Sequence, residues 1–138
     1  MIEITDKSGK TLHLVHRLAT SCEGRSDLIS PDNFIQCSFL NLDKGKTFKA
    51  HKHIWKKSPR EEVIAQESWV VIRGSVMASF YDTDGNFIQD VELRAGDASF
   101  TLEGGHNYTI LEDDTLVYEY KTGPYEGQQK DKEFLKAD

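Results

Sequence analysis

Between Ser68 and Leu93 the chain reads as three short strands in close succession, and that succession limits what it can become. Ser68 to Arg73 and Ser75 to Tyr81 are rich in Val, Ile and aromatic residues and meet at Gly74. Asp84-Gly85 is a hairpin signal that pairs Ser75 to Tyr81 with Phe87 to Leu93. Upstream, Ile2 to Thr5, Thr11 to Val15 and Phe34 to Leu40 have strand character, separated by a turn at residues 7–10 and a polar loop from Ala19 to Asn33. The stretch Thr47 to Trp55 follows, with a bulge or bend expected near Ala50, where the alternation changes register. Downstream, Ala98 to Leu102, Tyr108 to Leu111 and Leu116 to Tyr120 complete the set. Short strands broken by turns, with no long helix, repeat or low-complexity segment, imply an all-β sandwich or barrel. A length of 138 residues, 38% hydrophobic and 29% charged, fits a single domain.

Charge and composition exclude several roles. A net charge of −6 argues against nucleic acid as a partner, because neutralising phosphates takes a strongly basic face. No apolar run approaches the roughly 20 residues that span a bilayer, and no secretory leader is visible, so a cytoplasmic protein without a membrane partner is expected. Cys22 and Cys37 then read as free thiols in a reducing compartment. The charge is uneven, however. Lys44, Lys46, Lys49, Lys52, Lys56, Lys57 and Arg60 form a basic island with no acidic residue among them, suited to steering an anionic small molecule. Lysines on an edge strand serve equally to block sheet-to-sheet aggregation.

The island surrounds His51 and His53, which on a strand project from one face because the side-chain period is two, while Lys52 projects from the other. With Glu67 and His106 they make a mixed nitrogen and oxygen donor set suited to a first-row transition ion. Gly45, His51, His53, Glu67 and Gly74 are separated by five, one, thirteen and six residues, and Gly96, Gly104, Gly105 and His106 form a second spaced group. This order resembles the two conserved motifs of the cupins over about residues 34–120. In the second motif Leu102 stands where Pro is common, and the step from Gly to His is shorter by one residue. The thirteen residues between His53 and Glu67 exceed the short gap usual in the family, so Ile54 to Gln66 is an insertion.

The resemblance implies a double-stranded β-helix, the cupin jelly-roll barrel, preceded by N-terminal strands over 1–33 and followed by a strap over 121–138. It also implies one divalent metal, Fe, Mn, Ni, Co or Zn, held inside by His51, His53, Glu67 and His106. Gly74 and Gly96 fall where strands must turn without a Cβ penalty. Tyr81, Tyr108 and Tyr120 are candidate proton donors on alternating strands; Tyr118 shares that pattern. Lys49, Trp55, Arg60 and Asn107 are candidate substrate contacts, and Trp69 is expected in the core. The tail from Tyr120 to Gly127 resembles that of small stand-alone cupins associated with sugar and polysaccharide biosynthesis. The strap is expected to pack Tyr125 and Phe134 against the barrel or a second subunit, and strand-like Glu62 to Ala65 to join a homodimer. The function implied is a metal-dependent isomerase or epimerase acting on an anionic sugar. The alternatives are an iron dioxygenase and a non-catalytic metal-assisted binding module.

Overall fold

The computed structural model describes residues 1–20, 23–53, 62–123 and 127–135. They form ten strands: β1 Ile2–Thr5, β2 Thr11–His16, β3 Gly24–Asp27, β4 Ser38–Asn41, β5 Glu67–Arg73, β6 Ser75–Tyr81, β7 Phe87–Arg94, β8 Ala98–Thr101, β9 Gly105–Ile110 and β10 Leu116–Lys121. A 3-10 turn at Leu18–Thr20 and the short helix α1 at Gln128–Asp131 are the helical pieces among the described residues. The protein is thus all-β, and every strand pairing is antiparallel. One sheet runs β1-β2-β8-β5-β10, a second runs β7-β6-β9, and β3 pairs with β4.

Alternation sorts the side chains. On the five-stranded sheet, register pairs His13 with Thr101, Val15 with Ser99, Glu67 with Thr101 and Trp69 with Ser99, so these residues share a face. That face meets the three-stranded sheet in a core of Ile4, Val15, Val71, Val76, Ala78, Phe80, Val91 and Leu93. Trp69 packs against the core half-buried, which agrees with its expected place. The opposite face carries Leu14 and Phe100, which a second cluster with Ile29 and Leu102 covers. Cys37 lies beside this cluster as a free thiol whose burial raises its pKa; Cys22 lies outside the described residues.

Gly74 links β5 to β6 with φ of 80°, the left-handed region that favours glycine. A Cβ there would collide with the Thr115 side chain and backbone. Gly74→Ala is therefore expected to cost about 1–3 kcal/mol, read as a lowered urea midpoint at unchanged m value. Gly96, with φ of 90°, turns β7 into β8 in the same way.

Several expectations differ from the fold, beginning with β3, which lies inside the stretch from Ala19 to Asn33 expected as a loop. Thr47 to His53 forms no strand, and the rest of that stretch lies outside the described residues. A lysine-rich segment with one large apolar residue, Phe48, has no apolar face to hold it in a ladder, and Phe48 is 60% exposed. Within Phe34 to Leu40, only Ser38 onward is strand, paired with the polar β3. Residues 62–66 form no strand, with Val63 and Ile64 exposed. In the tail Phe134 is exposed, whereas Leu135 lies over Gly85 and Gly105, where a Cβ would meet its methyls at 3.2 and 2.7 Å; Tyr125 lies outside the described residues.

Candidate functional site

At one end of the space between the two large sheets the apolar core gives way to polar side chains. Glu67 begins β5 and His106 is the second residue of β9, and their shared inward parity brings His106 Nε2 to 3.1 Å from Glu67 Oε1. The same carboxylate oxygen accepts from Trp69 Nε1 at 3.2 Å, and that indole N–H is shared with Glu119 Oε2 at 3.1 Å. Burial by itself would raise the Glu67 pKa. The hydrogen bonds from His106 and Trp69, with the positive charges of His106 and Lys132, outweigh it and hold the carboxyl below its ordinary value.

Behind this pair the ring of Tyr108 stacks on Trp69, centroids 4.0 Å apart and planes within 11°. The Tyr108 hydroxyl bonds Ser99 Oγ at 3.0 Å. Burial raises its pKa, so the phenol stays protonated and serves as a hydrogen-bonding group rather than a base. His13 completes the network from β2. Its Nε2 lies 3.0 Å from the Tyr81 carbonyl and its Nδ1 3.1 Å from Thr101 Oγ1, so the neutral ring donates to the carbonyl and accepts from the hydroxyl.

His13 is fully buried, and burial is the main cause that lowers its pKa to about 4, with His106 adding to it. The folded state holds this ring neutral, whereas the unfolded chain takes up a proton near pH 6.5. Stability is therefore complete above pH 6.5 and is lost as pH falls toward 4, by about 2–3 kcal/mol. His16, lowered by the same cause, acts in the same direction. Urea unfolding between pH 7.5 and 4.5 measures this, and His13→Gln should flatten the slope.

The sequence-predicted residues separate into groups. Glu67, His106 and Tyr108 come together. His51 and His53 lie close to one another, ring centroids 5.5 Å apart, but on an exposed segment where His51 Nδ1 bonds the Lys49 carbonyl two residues back at 2.9 Å. Among the described residues no three metal-binding side chains converge. Tyr120 and Tyr118 are exposed on the other face of β10, because register sets Tyr120 opposite Ser68 while Lys121 faces Glu67. Tyr81 contributes its carbonyl, and its ring packs edge-on against Phe87. Asn107 is exposed and points away from its neighbours His106 and Tyr108; its Oδ1 accepts from the Tyr108 backbone N–H. Trp55 and Arg60 lie outside the described residues.

Sequence reasoning passed over His13, Ser99 and Thr101. The signal was parity, since His13 sits two residues before Val15 on an alternating strand. It also passed over Gln66, buried beside Glu67, whose amide takes the Ile35 N–H and donates to Asn33 and to the Leu102 carbonyl.

Comparison with known proteins gives no match: no family model, no curated protein and no solved structure is significantly similar to the chain. Among the described residues no helix is long and apolar enough to cross a membrane. The site therefore carries the functional argument unaided.

Proposed function

We propose that the protein is a metal-binding cupin, an isomerase or epimerase of an anionic sugar-like molecule, whose sheets close into a jelly-roll barrel around Glu67 and His106. The observation that carries this reading is the Glu67–His106 contact. Two ligand atoms about 2.1 Å from one ion and at right angles stand about 3.0 Å apart, so a separation of 3.1 Å suits adjacent corners of one coordination sphere. Among the described residues His106 Nδ1 is also buried without a hydrogen-bond partner, at a cost of about 1–3 kcal/mol.

The supply of the other donors follows from edges. Among the described residues β9 has a neighbour only in β6 and β10 only in β5. Ile110, opposite buried Val76 on the inner face of β9, is 51% exposed. Meanwhile residues 38–53 carry Leu40, Leu42 and Phe48 uncovered, with a turn at Asp43–Lys46 that would let the segment fold back on itself. Laid along β10 and β9, this segment would cover both edges and bring His51 and His53 to His106. The exposed lysines 44, 46, 49 and 52 would then flank the mouth and attract an anion.

A bound divalent ion would polarise a carbonyl or hydroxyl oxygen of the substrate. Glu67, held ionised, would help to retain the ion, and Tyr108 would keep the wall rigid through Ser99. A metal-free reading has one observation in its favour, the direct hydrogen bond by which Glu67 and His106 could act as an acid–base pair without an ion. Isothermal titration with Mn, Fe(II), Co, Ni and Zn separates the readings. One ion per chain, with binding lost in His51→Ala and in His106→Ala, supports the metal; turnover of sugar phosphates by metal-stripped protein supports the pair. Oxygen uptake only with ferrous protein would move the assignment to a dioxygenase.

A further inference from the structure

Trp69 occupies an unusual place beside the Glu67–His106 pair. Its indole N–H stands within hydrogen-bond distance of two carboxylates, Glu67 Oε1 at 3.2 Å on its own strand and Glu119 Oε2 at 3.1 Å on β10, where register sets Glu119 directly opposite Trp69. The ring plane is fixed from behind by Tyr108, itself tied to Ser99. A rigid donor on a fixed plane, aimed at the oxygen that also meets His106, can determine where that oxygen stands.

We infer that Trp69 is the positioning residue of the site: its N–H, shared between Glu67 and Glu119, sets the Glu67 carboxylate against His106. The inference deepens the metal reading and rests on it for its consequence, but its geometry stands without a metal. An indole is suited to the task because it is a donor only and cannot itself compete for the ion. Glu119 is the second acceptor of the same N–H, so the donor is tied to β10 as well as to Glu67.

The test uses the full chain. In metal-free protein the Trp69 indole N–H resonance, assigned with Trp55→Phe and Trp69→Phe, is expected to lie downfield and to shift in both Glu67→Gln and Glu119→Gln. A resonance indifferent to both variants overturns the inference. Trp69→Phe keeps a ring against Tyr108 and removes only the donor, so the fold should persist by circular dichroism while Co(II) affinity falls about tenfold. Unchanged affinity in that variant, where the wild type binds Co(II), also overturns it. If the wild type binds no Co(II) yet the resonance responds to both carboxylates, the positioning role stands and the metal reading fails.

Discussion

His106→Ala is expected to abolish the stabilisation that a divalent ion confers on this protein. At an ion concentration 100 times its dissociation constant, a ligand bound only by the folded state adds about 2.7 kcal/mol and raises the melting temperature measurably. Removing an outer-shell partner of a metal typically costs 10–100-fold in affinity, and loss of a ligand itself should exceed about 100-fold. The imidazole is the sensitive position because it touches the Glu67 carboxylate and, among the described residues, leaves its other nitrogen buried and unpartnered. Melts of wild type, His106→Ala, His51→Ala and Glu67→Gln, with and without each ion, measure the effect. Equal stabilisation of wild type and His106→Ala would remove His106 from the site. Stabilisation lost in His106→Ala but kept in His51→Ala would show that residues 38–53 do not close over β9.

The difference between His106 and His51 also marks how much of the molecule was legible in the sequence. Strands β5 to β8 and β10 were readable nearly to the residue, because Val, Ile and aromatic side chains alternate there and Gly74, Gly85 and Gly96 punctuate them. β9 starts earlier than its apolar content suggested, at Gly105, because its first residues are held by pairing with Tyr81 and Phe80 rather than by propensity. β3 was invisible: Gly-Arg-Ser-Asp has no apolar alternation, and its pairing with β4 is decided across the loop. Spacing picked out Glu67 and His106, and adjacency Tyr108; the structure brings the three together because they lie on strands whose parity is fixed by a buried core. Alternation alone left the faces of Tyr120 and Asn107 open, and register sets each on the face away from Glu67 and His106. His51 and His53 share a spacing whose meaning depends on the segment being a strand, and a ladder needs a partner edge that local sequence does not contain.

Asp97→Ala should cause the largest loss of stability of any polar substitution discussed, about 3–5 kcal/mol, or a melting temperature lower by roughly 10 °C. Asp97 is buried after the Gly96 turn, and its carboxylate gathers three donors. Oδ2 accepts from the Arg17 guanidinium and from the Arg94 backbone N–H at 3.1 Å, while Oδ1 accepts from the Leu18 N–H at 3.2 Å. The Arg17 guanidinium also donates to the Glu92 carbonyl at 2.7 Å, so a single ion pair ties the end of β2 to the turn between β7 and β8. The Asp97 backbone continues the tie by accepting from the Val71 N–H at 3.0 Å. Truncation leaves a guanidinium only 30% exposed without its counter-ion, and leaves two backbone N–H groups without their acceptor. Arg17→Met in the Asp97→Ala background removes the stranded charge and should restore part of the loss, so the double-mutant cycle should give a coupling of at least 1 kcal/mol. Because β5 pairs with β8 at Val70 and Ala98, and again at Glu67 and Thr101, loosening this turn also loosens the strand that carries Glu67. A loss below about 1 kcal/mol, with additive single variants, would mean that the sheets are held by the apolar core alone and that the turn follows rather than fixes their register.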